Sequence, residues 1–178
     1  MEKSTILLMF LWLGSAIAAP VAEELPLNSH LEPLRPLLEK TWKGTFNNSK
    51  PGNPTVDVGR WERALNGQAI RRLHSVNDGA YGGEALLFWD DQQKRIVVYY
   101  FTTAGFMSVG TLGFKDGKFT GHEDIKGNAD GITEVRSISE LLPSGKFHLK
   151  AEYLKNGKWT FGREVTYEES PGSKVAFK

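Results

Sequence analysis

The most restrictive feature of the sequence is a series of tight-turn dipeptides that cuts it into short pieces. Asn66-Gly67 and Asn156-Gly157 supply the two positive φ angles of a type I′ hairpin turn, and Asp78-Gly79, Asp116-Gly117 and Ser144-Gly145 mark further reversals. Between these signals, apolar and polar residues alternate with period two. The pattern predicts strands at 55–64, 68–77, 84–90, 94–103, 106–114, 118–123, 133–142, 147–155 and 158–168, after a first strand around Trp42. Hairpins joined in sequence form an up-and-down antiparallel sheet, and about nine or ten strands curl until the sheet closes and its edges disappear. The expected fold class is all-β, a single antiparallel up-and-down β-barrel.

Composition narrows the function classes. The chain has 178 residues, 40% of them hydrophobic and 11% aromatic, enough to bury one core. Lys plus Arg total 22 and Asp plus Glu 21, and a formal charge of +1 argues against a nucleic-acid binder that works by releasing counterions. Zero cysteine removes disulfide frameworks, thiolate metal sites and cysteine nucleophiles.

Residues 1–18 have the layout of a secretory signal peptide. A short charged start precedes the apolar run Ile6 to Leu13, and Ala16-Ile17-Ala18 forms an A-x-A cleavage site. The apolar run falls short of the roughly 20 residues that span a bilayer. Cleavage is expected after Ala18, leaving 19–178 as one exported domain, periplasmic or secreted; an uncleaved N-terminal anchor is the other reading. No later segment is long and apolar enough to span, so no membrane span is expected in the mature chain. Asn47-Asn48-Ser49 matches a glycosylation sequon, a motif common by chance.

Leucines at 31, 34, 37 and 38 line one face of a short N-terminal helix over 31–40, with Ser29 as its N-cap. Pro36 predicts a kinked or partly 3₁₀ element, placed at the closed end of the barrel. In the last hairpin the odd-numbered residues (Phe147, Leu149, Ala151, Tyr153, Trp159, Phe161, Val165, Tyr167) form the apolar, inward face. Arg163 interrupts that face, and a buried guanidinium requires partners. Segment 96–103 is apolar on both faces; its outer side reads equally as a homodimer seam or as a surface covered by the helix or a loop.

Residues 31–46 (L-E-P-L-R-P-L-L-E-K-T-W-K-G-T-F) resemble the opening of nitrobindin-like and related lipocalin-like barrels, in which a short Leu/Pro helix runs into a strand carrying Trp-x-Gly. Phe88-Trp89-Asp90, Thr111-Leu112-Gly113-Phe114 and Gly157-Lys158-Trp159 extend the likeness toward secreted bacterial uncharacterised-domain families of the calycin group. Lipocalins proper carry Gly where this chain has Lys40, which favours the wider group. The resemblance implies that Trp42 packs against Arg163 across the closed end; on that basis Arg163→Ala is predicted to cost about 2–4 kcal/mol. It also implies haem binding through a C-terminal histidine. Alternation puts His148 on the polar outer face, so haem is not expected and no cofactor is assigned.

The remaining chemistry is sparse. His74 shares a face with Ile70, Arg72 and Val76 and reads as a satisfied, half-buried histidine. His122, Glu123 and Asp124 are adjacent on a strand and cannot all face one ion, so no metal site is expected. The glycine-rich stretches 79–84 and 127–131 read as loops at the barrel mouth, and no G-x-S-x-G motif occurs. Glu84, Glu134 and Arg136 are strand charges that form either an acid–base pair in the lumen or salt bridges in the wall. Trp61, Tyr100, Phe147, Tyr153 and Phe161 are the candidate ligand-binding residues of an aromatic-lined cavity; no catalytic residue is assigned. The leading expectation is a barrel that carries a small apolar or amphipathic molecule. An enzyme acting on such a molecule, or a filled barrel acting through its outer surface, are the alternatives.

Overall fold

The computed structural model describes residues 26–178, so the expected signal peptide lies outside the described residues. Ten strands follow an N-terminal 3₁₀ helix, Ser29–Leu37: β1 Lys40–Phe46, β2 Val56–Ala64, β3 Ala69–Val76, β4 Tyr81–Asp90, β5 Arg95–Thr102, β6 Met107–Lys115, β7 Lys118–Lys126, β8 Ile132–Leu141, β9 Phe147–Lys155 and β10 Lys158–Glu169. Each strand pairs antiparallel with its sequence neighbour, and β1 pairs with β10 to close the barrel. The all-β, up-and-down closed barrel is therefore as the turn spacing predicts. Among the described residues no helix is long and apolar enough to cross a membrane.

The turns obey the chemistry of their dipeptides. Asn156 and Gly157 take φ of 51° and 74°, and Asp116 and Gly117 take 52° and 77°, the paired left-handed values that match hairpin twist. Asn66-Gly67 departs from a two-residue turn: Leu65 also has positive φ, at 48°, and the three residues form a 3₁₀ turn. The extra residue brings Gly67 O to Asn28 N at 2.9 Å, tying the helix to the barrel end.

The helix is 3₁₀ throughout its length because Pro33 and Pro36 remove backbone donors from both of its later turns. Its cap is Asn28, whose side chain accepts from His30 N, one residue earlier than Ser29. A three-residue repeat suits the leucine spacing: Leu31, Leu34 and Leu37 eclipse one another and are 0%, 1% and 1% exposed. This stripe plugs the barrel end where β1 begins. Trp42 lies beneath it, donating its indole N–H to Leu37 O at 3.1 Å, an otherwise open carbonyl at the helix terminus.

After β10 the chain runs as a strap over the outside of β1 to β3. Ser170 N donates to Thr41 O at 2.7 Å and Ala176 N to Ser75 Oγ at 3.1 Å. Both Thr41 and Ser75 alternate outward yet are buried, because the strap covers them.

A bulge at Gly162 corrects the reading of the last hairpin. The register shifts between Phe161 and Arg163, so Phe161 pairs with outward Glu152 while Arg163 pairs with inward Ala151. Alternation holds from Arg163 to Tyr167 and inverts before it. Trp159 therefore lies outside, under the Arg136 guanidinium at 4.3 Å, and Phe161 is half exposed on the outer wall. Segment 96–103 is not covered by the helix either. Tyr99 and Phe101 face solvent from β5, Tyr99 stacking on Phe88 at 6.2 Å.

Candidate functional site

Inside the barrel is a cavity of about 390 Å³, in the size range of small-molecule sites. Leu34, Trp61, Leu87, Phe119 and Phe147 form its apolar floor at the helix end. Tyr81, Phe106, Ile125 and Ile132 line the opposite end, near the loops that join β3–β4, β5–β6 and β7–β8. Polar groups occupy the belt between: Arg72, Tyr100, Ser108, Glu123, Tyr153 and Arg163.

Four of the five expected cavity residues, Trp61, Tyr100, Phe147 and Tyr153, line this space, whereas Phe161 points away from it. Trp42 and Arg163 are not brought together. Trp42 pairs with Glu169 on β10, six residues from Arg163, a separation of roughly 20 Å along the strand. The cation over Trp42 is Lys40 Nζ at 5.8 Å, and the ring under Arg163 is Phe46 at 5.9 Å. The end-plug role thus belongs to Trp42 with the helix. The strand charges resolve on the outer wall, with salt bridges from Glu84 to Arg71 at 2.8 Å and from Arg136 to Glu152 at 2.6 Å, and a hydrogen bond between Glu134 and His122 at 2.8 Å.

The organising feature of the interior is a buried polar network that the alternation pattern does not predict. Asp57 of β2, entirely buried, accepts from His74 Nδ1 at 2.9 Å and from the Tyr167 hydroxyl at 2.6 Å, with Arg72 Nη2 at 3.8 Å. The other His74 nitrogen, Nε2, lies 2.7 Å from the Tyr100 hydroxyl, which is 2.9 Å from the Tyr81 hydroxyl. These partners fix the donors. His74 gives its Nδ1 proton to Asp57, Nε2 accepts from Tyr100, and Tyr81 donates to Tyr100. The network joins β2, β3, β4, β5 and β10.

Gly44 makes the β2–β10 link possible. It sits in register with Asp57 on one side and Tyr167 on the other. A Cβ there would meet Val165 Cγ2 at 2.5 Å and Tyr167 Cδ1 at 3.0 Å. The glycine of the Trp-x-Gly segment thus lets Tyr167 reach over β1 to Asp57.

Burial acts on Asp57, His74, Tyr81 and Tyr100. On Asp57 it would raise the carboxyl, but the His74 hydrogen bond, the Arg72 charge and the Tyr167 hydroxyl outweigh it and hold the group well below the usual carboxylate range. Burial lowers His74, against the opposing pull of Asp57, so the imidazole is neutral. Burial also raises Tyr81 and Tyr100. His74 therefore has a folded pKa below its unfolded value, near 6.5, and the unfolded chain binds more protons below that pH. Folding stability is expected to fall as pH drops from about 6.5, with a slope of at most about 1.4 kcal/mol per pH unit from this residue. Urea unfolding at pH 7.5, 6 and 5 measures it, and a flat profile contradicts a neutral buried His74.

Among the described residues one further group has metal-ligand types. His122, Asp124 and Glu134 bring their ligand atoms within 4.8 Å of one another on the outer wall of β7 and β8, where His122 is already hydrogen-bonded to Glu134. Asp124 joins because alternate residues share a strand face, with Glu134 added from the next strand; Glu123 points inward.

No family model matches the chain, and no curated protein matches it. Among solved structures it is similar to the crystal structure of Rv2717c from M. tuberculosis, with a TM-score of 0.61 at 12% sequence identity, covering 82% of this chain and 99% of that one. The likeness is one of fold. It supports the closed antiparallel β-barrel of this chain.

Proposed function

We propose that this protein is an exported barrel that binds a small apolar or amphipathic molecule in its lumen and carries or buffers it. The observation that carries the reading is the cavity of about 390 Å³, which apolar and aromatic side chains close at the helix end and line at the other. A barrel of this strand number leaves room for one small ligand. Export, to a periplasm or beyond the cell, rests on the A-x-A segment ending at Ala18. Kinship with nitrobindin-like barrels belongs to the same proposal, and rests on the helix that enters Trp42-Lys43-Gly44.

Haem does not fit this lumen. His74 is the one cavity-side histidine among the described residues, and both of its nitrogens are engaged. His148 pairs with Glu164 on the outer wall at 3.0 Å, and His30 stacks on Trp89 outside the cavity. Acid–base catalysis also finds little support. A working base or acid needs a pKa near the operating pH, whereas Asp57 and His74 are driven down and Tyr81 and Tyr100 up.

Native mass spectrometry of gently purified protein is expected to reveal a bound small molecule that is lost on denaturation. The absence of any adduct, together with no fluorescence gain from hydrophobic dyes, would defeat the carrier reading.

A further inference from the structure

One cluster on the outer wall is left incomplete by the fold. His122 and Asp124 alternate along β7 and share its outward face, and Glu134 stands directly opposite Asp124 on β8. Their ligand atoms lie within 4.8 Å of one another. Two carboxylates in register on one face of an antiparallel pair repel each other unless a cation lies between them. The chain places none there. Val109 and Leu154, in register with Asp124 and Glu134 on the flanking strands, carry no charge. Arg136 is in register with His122, but its guanidinium turns the other way, to Glu152 at 2.6 Å and over the Trp159 ring at 4.3 Å. Lys126, two residues along β7, forms no ion pair within the described residues. His122 Nε2 meets Glu134 Oε2 at 2.8 Å, whereas the Asp124 carboxylate takes no hydrogen bond or ion pair from any described residue. Other acidic positions of the wall are matched. Glu140 has Lys118 at 3.6 Å, and the second His–Glu couple, His148 with Glu164 at 3.0 Å, has Lys150 in register with Glu164.

We infer that His122, Asp124 and Glu134 form a binding site for a divalent transition-metal ion of the zinc class. The donor set selects the ion. One imidazole nitrogen and two carboxylate oxygens suit zinc, whereas calcium takes more oxygen ligands and magnesium keeps most of its waters. Three protein ligands around a tetrahedral ion leave one position to water, as an exposed face allows. Metal–ligand bonds of about 2.0–2.2 Å set tetrahedral donors roughly 3.4 Å apart. His122 Nε2 and Glu134 Oε2 therefore have only to separate slightly, while the Asp124 side chain rotates toward them. The imidazole binds through Nε2 as the tautomer that carries its proton on Nδ1. Paired backbone already holds all three residues in place, so little ordering is needed. A bound ion clips β7 to β8 below the loop that joins them at the barrel mouth. The site is outside the lumen and independent of what the cavity carries.

Isothermal titration of tag-free, EDTA-treated protein with zinc chloride tests the inference. One equivalent is expected to bind, magnesium in large excess should not displace it, and the thermal midpoint should rise with zinc concentration. His122→Gln and Asp124→Asn should each weaken binding by about tenfold to a hundredfold or more, at least what the loss of an outer-shell partner costs a metal site. His148→Gln, which breaks the other His–Glu couple, should leave zinc binding unchanged. Circular dichroism melts verify that the variants are folded. Cobalt(II) supplies a second readout: the wild type should develop the strong visible absorption of a tetrahedral ion, and His122→Gln should not. Absence of zinc binding by the wild type overturns the inference. So does binding that survives both cluster variants or is lost with His148→Gln, since the ion is then held elsewhere. Displacement of zinc by magnesium overturns it too, leaving only an unselective acidic patch.

Discussion

Asp57→Ala is expected to lower the free energy of unfolding by about 3–5 kcal/mol, a large part of the stability of a domain this size. The reason is what it leaves behind. His74 Nδ1–H and the Tyr167 hydroxyl lose their acceptor, and Arg72 loses the carboxylate 3.8 Å away. All three sit inside the barrel, where an unsatisfied donor keeps its full desolvation cost and an unpaired guanidinium costs more. The strands affected are β2, its neighbour β3, and β10, whose Tyr167 reaches β2 across β1, so the loss falls beside the β1–β10 seam where the barrel closes. Asp57→Asn is expected to cost less, since one amide oxygen still accepts from a donor while the charge opposite Arg72 is gone. Urea unfolding followed by tryptophan fluorescence measures both. A stability for Asp57→Ala within about 0.5 kcal/mol of wild type would mean that water or rearranged partners satisfy the stranded groups, and that the network does not brace the barrel.

The contrast with Arg163 is instructive. Both residues face the barrel interior, yet Asp57 is bonded on both oxygens, whereas Arg163 Nε is buried without a hydrogen-bond partner. Removing the first strands its partners; removing the second strands nothing. Arg163→Met is therefore expected to leave stability unchanged or raised, the opposite of the loss that a Trp42–Arg163 pair implies.

What the sequence disclosed follows from range. Turn type is local: Asn156-Gly157 and Asp116-Gly117 dictate their own φ angles, so strand limits and the closed barrel could be read directly. The leucine stripe is also local: its spacing predicts a helix face and Pro36 a partly 3₁₀ element, which the structure extends to the whole of Ser29–Leu37. Facing is less secure. One inserted residue inverts it, and nothing in Phe161-Gly162-Arg163 announces a bulge except the glycine itself. Its physical reason is long-range: a Cβ at Gly162 would lie 2.7 Å from the Tyr153 ring, which the turned strand packs against it. The Asp57 network was illegible for the same reason. Its members are at 57, 74, 81, 100 and 167, and only the register of five strands brings them together. A partial signal existed: extending alternation back from inward Trp61 through Gly59 puts Asp57 on the same face.

Trp42→Ala is expected to cost about 3–5 kcal/mol, for reasons unconnected with Arg163. The indole is 2% exposed and lies between the helix leucines and the barrel floor, 6.3 Å from the Phe147 ring centroid. Truncation opens a cavity there and frees the Leu37 carbonyl that its N–H engages. The damage should be directional. Backbone amides of the helix exchange faster because its short 3₁₀ turns depend on that packing, while amides of β6 and β7 keep their protection relative to the global unfolding rate. Trp42→Phe retains most of the volume and should cost only the hydrogen bond, about 1 kcal/mol. A double-mutant cycle then separates the two views of the barrel end. With Trp42 and Arg163 roughly 20 Å apart along β10, the effects of Trp42→Ala and Arg163→Met should add to within about 0.5 kcal/mol. A coupling well above that value would restore the stacked pair and place Arg163 in the plug.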